Sequence, residues 1–231
     1  MAPDTGTKRI YCSGPLFSPE EKQAMQQIAE VLEHAGYATF LPQRDGLEAY
    51  VMRLANDPRV TNKMFRRINL FTHKAIFALD IYQVVEGCGA LVFNMNGRVP
   101  DEGGVAETAV AFAVGKPLVI YKQDDRTKFN GYDNSMVSGL AYNFSKVNTI
   151  REIPRELAVV MRRVEKWGRT PYSGPNVPPH MAKVLDFGRK IQKFLGLIHF
   201  FESPEQEKLQ GIERVVDMCE SSPDFKELQW A

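Results

Sequence analysis

Two acids six residues apart, Asp101 and Glu107, lie where an apolar run gives way to a helical pattern, in Pro100-Asp101-Glu102-Gly103-Gly104-Val105-Ala106-Glu107. Asp101 stands at an N-cap position, an ordinary place for an aspartate. Two glycines in the first helical turn are less ordinary, since each costs about 1 kcal/mol against alanine. Their use is to let something approach the backbone closely. Glu107 follows among Ala106, Ala109, Val110, Ala111 and Phe112. A poorly hydrated carboxylate near a positive helix end suits nucleophilic attack. The same spacing also fits a capping acid followed by a solvent-facing glutamate. A third acid, Asp80, falls late in a helical stretch, within Ala78-Leu79-Asp80-Ile81-Tyr82. There it opposes the helix dipole and its apolar surroundings unless something needs it. Taken alone, it reads as an exposed acid between two faces.

The elements around these acids follow from periodicity. Ala90-Leu91-Val92-Phe93 and Leu118-Val119-Ile120-Tyr121 are short apolar runs bounded by turn residues, as in buried strands. Between them Val105, Ala109 and Phe112 recur at helical spacing up to Gly115-Lys116-Pro117, a helix stop. In open α/β sheets the loop at a strand's carboxyl end is where ligands bind. Upstream, Arg9 to Ser13 reads as a strand, and Ser18-Pro19-Glu20-Glu21 as a capping box with proline at the first helical position. Met25, Ile28, Ala29 and Leu32 share one helical face, Gly36 closes that helix, and Tyr37 to Leu41 is a second strand. A strand–helix–strand opening implies a parallel pair with a right-handed crossover. Leu47 to Leu54 fits a short helix, and Thr61 to Glu86 a long one with Phe65, Ile68, Phe71 and Ile76 on its apolar stripe.

Composition narrows the class. The chain has 231 residues, 44% hydrophobic and 25% charged, with a net charge of +1. That suffices for one sizeable core plus an appendage and gives no support for nucleic-acid or membrane-surface binding. Cys12, Cys88 and Cys219 are scattered, odd in number and far from metal-ligand spacing, so buried thiols in a reducing compartment are expected. His34, His73, His180 and His199 share no ligand spacing either. No metal or cofactor is expected. No signal peptide or bilayer-spanning run is visible, and a cytoplasmic location is the expectation. Beyond Ile150 the pattern turns helical: Ile153, Leu157, Val160, Met161 and Val164 form one stripe. A Pro/Gly loop from Thr170 to Pro179 follows, then helices around Val184 to Phe194 and Pro204 to Cys219. The expected organisation is a loose terminus over 1–7, an α/β domain over 8–149 and a helical C-terminal extension over 150–231.

Over roughly residues 8 to 145 the chain resembles the nucleoside 2-deoxyribosyltransferase family. The resemblance is carried by Ile10-Tyr11-Cys12-Ser13-Gly14-Pro15-Leu16-Phe17, by Asp80 ahead of Gly89-Ala90-Leu91-Val92, by Asp101 and Glu107, and by Asn134-Ser135-Met136. It implies a flavodoxin-like (Rossmann-like) parallel sheet flanked by helices, and retaining, double-displacement transfer of 2-deoxyribose between nucleobases. Glu107 would be the nucleophile at C1′ of a 2′-deoxynucleoside, with Tyr11 orienting it. Asp80 would carry a proton to and from the base. Asp101 would hold the 5′-hydroxyl, Gly14, Pro15, Leu16 and Phe17 would flank base and sugar, and Gly103 would be among the substrate-binding residues. Asn134 and Met136 would complete a neighbouring subunit's pocket, which implies a homo-oligomer. The partners implied are 2′-deoxynucleosides and free nucleobases. Gln43 and Asp45, in Gln43-Arg44-Asp45-Gly46-Leu47-Glu48, align loosely as base contacts.

The chemistry agrees with what such a bond requires. An oxocarbenium-like transition state needs a carboxylate below C1′ and a proton source at the leaving group. Three other readings stay open on the sequence. One is an N-glycosidase on the same scaffold, with water as acceptor. A second is a non-catalytic nucleoside or nucleotide sensor whose helical tail is the output surface. The third, a phosphoribohydrolase, ranks low because its longer glycine–threonine run is missing after Glu102. A dinucleotide-binding domain is disfavoured because no G-x-G-x-x-G follows the first strand.

Overall fold

The computed structural model describes residues 9–54, 57–97, 99–126, 132–167, 177–223 and 225. The expected loose terminus over 1–7 and most of the Thr170 to Pro179 loop lie outside the described residues. The chain divides into two compact units, one of residues 1–41 with 83–174 and one of 42–82 with 175–231. These units do not follow chain order, as a domain over 8–149 and an extension from 150 would.

The first unit is built on a five-stranded, wholly parallel sheet in the order β2-β1-β3-β4-β5. Its strands are β1 (Arg9–Ser13), β2 (Ala38–Phe40), β3 (Ala90–Asn94), β4 (Leu118–Tyr121) and β5 (Lys146–Val147). That order is the flavodoxin-like one, with its reversal between β1 and β3. Helix α1 (Pro19–His34) starts with the complete capping box: Ser18 Oγ accepts from Glu21 N, and the Glu21 carboxylate accepts from Ser18 N. It buries Met25, Ile28, Ala29 and Leu32, the face its periodicity marks.

Strand alternation sorts this sheet into two faces. Ile10, Cys12, Ala90, Val92, Val119, Tyr121 and Val147 join α1 and the later helix α7 (Ile153–Lys166) in one core. Ile153, Leu157, Val160 and Val164 seat α7 there, as expected for that stripe, but within the sheet's own unit. The alternate positions Tyr11, Ser13 and Phe93 are left for α5 (Glu102–Ala113). This unit also contains a π-helical turn (Gln83–Gly87) before β3 and the short α6 (Ser135–Ser138).

Helix α5 forms where the spacing of Val105, Ala109 and Phe112 marks one, but the face it buries is Gly104, Thr108 and Ala111, and Phe112 is 55% exposed. The reason is contact distance. A Cβ on Gly104 would lie 2.5 Å from the Phe93 ring, so only glycine at this position lets the helix come this close. Thr108 tolerates burial because its hydroxyl donates to Gly104 O at 2.6 Å.

The second unit comprises α2 (Pro42–Asp45), α3 (Glu48–Leu54), α4 (Asn62–Tyr82), α8 (Pro179–Leu197) and α9 (Glu205–Ser221). Helices α4 and α8 cross at Gly188, where an added Cβ would meet Ala78 O at 2.1 Å and Tyr82 Cβ at 2.5 Å. Arg67 of α4 pairs with Asp217 and Glu220 of α9 at 2.6 and 2.7 Å. Among the described residues no helix is long and apolar enough to cross a membrane, and all three cysteines are buried free thiols.

Candidate active site

Glu107 sits in the second turn of α5, and two hydroxyls from β1 grip its carboxylate. Tyr11 Oη donates to Oε1 at 2.8 Å, and Ser13 Oγ donates to Oε2 at 2.6 Å. A carboxylate is acceptor-only, so two hydroxyl donors match its ionised form. Residues 11 and 13 are two apart on a strand and therefore point to one face, which is how one strand serves both oxygens. The Tyr11 ring is fixed by stacking on Phe40 at 5.4 Å, and Tyr11 and Ser13 are both fully buried. Ser13 Oγ also lies 3.4 Å from Gly104 O, but its single proton serves the shorter contact.

Magnitudes identify what holds Glu107. Hydrogen bonds to a charged group contribute about 1.5–3 kcal/mol each. The helix dipole contributes about 0.3–1 kcal/mol and fades beyond the first turn, whereas Glu107 is six residues past the cap. The hydroxyl pair from β1 dominates.

The cap at the head of α5 is as expected: Asp101 Oδ2 accepts from Gly104 N at 2.6 Å. The two glycines part in role. Gly104 is buried on Phe93, whereas Gly103 is exposed, and a Cβ there would only reach ordinary contact with Asp101 Oδ2 at 3.4 Å. The close approach is therefore made by the protein's own core at Gly104, and Gly103 borders open space.

After β1 the chain turns sharply. Gly14 has φ +150°, and a Cβ there would stand 2.8 Å from both Asn94 Cβ and Met25 Sδ, so glycine is required. Pro15 is buried, Leu16 half-buried and Phe17 71% exposed. Asn134 caps the short α6, its Oδ1 accepting from Met136 N at 2.9 Å, and Met136 is 80% exposed. The residue before this pair is an anchor: buried Asp133 pairs with Lys146 at 2.6 Å and Lys122 at 3.6 Å.

Asp80 belongs to the second unit, half-buried near the C-terminal end of α4. Gln43 and Asp45 lie on α2, and Asp45 pairs with Arg44 at 2.9 Å. One residue escaped sequence reasoning: Ser13 had a usable signal, its position two residues after Tyr11.

Comparison with known proteins adds a family. Residues 10–141, more than half of the chain, match the family model described as nucleoside 2-deoxyribosyltransferase. No curated protein matches the chain. Among solved structures, a crystal structure of a conserved protein from Enterococcus faecalis V583 is similar, at 22% identity and a TM-score of 0.46, over 66% of this chain and 98% of that one.

Proposed function

Because this chain belongs to the nucleoside 2-deoxyribosyltransferase family, we propose that it moves 2-deoxyribose between nucleobases through a covalent ester on Glu107. The observation that carries the reading is the double clasp of Glu107 by Tyr11 and Ser13. A carboxylate held at both oxygens by buried donors has one orientation, and a nucleophile that need not reorganise reacts faster. In the first displacement a Glu107 oxygen bonds C1′ while the C1′–N bond breaks, its electron pair passing to the base. In the second, a nitrogen of the acceptor base bonds C1′ from the other side of the ester, which gives net retention. Asp80 supplies the proton the first base takes and recovers one from the second.

Asp101 reads the 5′-hydroxyl with the carboxylate that also caps α5. A 5′-phosphate would meet like charge there, so free deoxynucleosides are the substrates and their monophosphates are not. Gly14 to Phe17 and Gly103 border base and sugar. Asn134 and Met136, exposed and anchored through Asp133, complete the pocket of a neighbouring copy, so the working form is a homo-oligomer.

The test is intact-mass measurement after mixing with a deoxynucleoside. A deoxyribose adduct is expected on the parent and absent in Glu107→Ala. Base release needing no second base, at the same rate with and without one, would instead identify a hydrolase. No release of base at all, with binding retained, would leave a sensor.

A further inference from the structure

Leu118 opens β4, and residues 139–143 lead into β5, so both lie at the amino end of the parallel sheet. Ser13 closes β1 beside Glu107 at the opposite edge. At the amino end the last turns of α5 and α7 join residues 139–143 around a cavity of about 320 Å³, wholly within the first unit. Its floor is aliphatic, with Leu118, Val160 and Val164 buried. Its walls carry three rings that the core leaves uncovered: Phe112, Tyr142 and Trp167 are all exposed. A single exposed aromatic is ordinary; three around one cavity mark a binding surface.

The charge of the lining is one-sided. Lys116 and Arg163 are its cations, and no aspartate or glutamate is among the described residues that line it. The Arg163 guanidinium lies over the Tyr142 ring at 4.4 Å, and among the described residues no carboxylate pairs with it. The Lys116 ammonium donates one of its three N–H groups to Cys88 O at 2.6 Å. The acid whose charge reaches Lys116 is Glu86, which stands on the π-helical turn outside the cavity. Two cations without an acid of their own attract an anion, and a guanidinium fork matches phosphate at two points.

The loop beside Arg163 is strained. Asn143 and Phe144 are consecutive non-glycine residues in the left-handed region, at φ +53° and +56°, which is unfavourable for a ring as bulky as phenylalanine. Burial does not account for it, because Phe144 is exposed. The turn instead sets the Tyr142 ring against Trp167, at 5.2 Å, and against Arg163. Backbone strain of this kind gathers where ligands are clamped.

We propose that this cavity is a second binding site, separate from Glu107, for a mononucleotide: its flat base on the Trp167 and Phe112 rings, its 5′-phosphate on Arg163 within the field of Lys116. The combination selects the class. An aromatic carboxylate offers the ring but one charge, and free phosphate offers the charge but leaves the rings bare. The volume is at the small end for ligand pockets and suits one nucleotide, not a dinucleotide. The inference goes beyond the transferase reading and does not rest on it. The two sites also differ in sign: a 5′-phosphate meets like charge beside Asp101 and Glu107, and only cations here.

Calorimetric titration with adenosine 5′-monophosphate tests this, in the parent and in Glu107→Ala. One site per chain is expected in both, with adenosine and inorganic phosphate each binding at least tenfold more weakly. Arg163 is exposed, so Arg163→Gln should fold as the parent does. It should weaken the nucleotide by roughly 10- to 150-fold and leave adenosine unchanged, and Arg163→Lys should recover part of the loss. Trp167→Leu should weaken the nucleotide by about fivefold or more without touching inorganic phosphate. Affinity that neither Arg163→Gln nor Trp167→Leu moves overturns the proposal. Displacement by deoxyadenosine at equal concentration, measured in Glu107→Ala, overturns it too, because the nucleotide is then in the catalytic site. Benzoate or inorganic phosphate binding as tightly as the nucleotide refutes the ligand class. Absence of a deoxyribose adduct on the parent removes the transferase reading and leaves this one standing.

Discussion

Replacing Ser13 by alanine removes one oxygen from a fully buried position and nothing else of substance. The bond lost is the 2.6 Å contact to Glu107 Oε2; the 3.4 Å approach to Gly104 O is too long to matter. A hydrogen bond to a charged acceptor contributes about 1.5–3 kcal/mol. If the clasp orients the nucleophile, that energy appears in the first displacement as a rate loss of roughly 10- to 150-fold. Stability should change far less. Glu107 is only half-buried, so water can replace the lost donor, and the cost should stay below about 1 kcal/mol, or roughly 2–4 °C in Tm. The assay is rapid-quench mass spectrometry of the deoxyribosyl adduct, with calorimetry alongside. An adduct rate within twofold of the parent's, in a folded variant, refutes the orienting role. A large loss of Tm would show instead that the serine serves packing.

The adjacent glycines of α5 should respond oppositely. Gly104→Ala drives a methyl into the Phe93 ring and should destabilise by about 1–3 kcal/mol, whereas Gly103→Ala should be neutral or stabilising by up to about 1 kcal/mol; denaturant midpoints compare them. Asp133→Asn leaves Lys122, with a side chain 2% exposed, and Lys146 without their carboxylate, and should cost about 3–5 kcal/mol in urea unfolding. Stability against pH isolates Glu48. The folded chain keeps to about 7 a proton the unfolded chain releases near 4.5, so this group's contribution is full below 4.5 and is lost as pH rises to 7. Glu48→Gln lacks that loss, and its stability relative to the parent should improve across this window by on the order of 2 kcal/mol and then level off. A gap that stays constant from pH 4 to 8 contradicts it.

Local chemistry made much of this protein legible as sequence. The Ser18 capping box, the α1 and α7 stripes and the Asp101 cap each involve neighbours within a few turns, so spacing alone specifies them. The family motifs marked Tyr11, Asp80, Asp101 and Glu107 because those residue types recur in a set order. What spacing could not supply was distance between segments. That Gly104 and not Val105 faces the sheet was decided by how closely α5 packs on Phe93. That residues 42–82 associate with 175–231, while α7 stays with the sheet, was decided by which apolar faces cover one another. Ser13 on Glu107 joins positions 94 residues apart. Sequence determined which groups can carry charge and protons; only the folded chain decided which of them meet, because that depends on contact between segments and on burial, and neither is a property of a residue's neighbours in the chain.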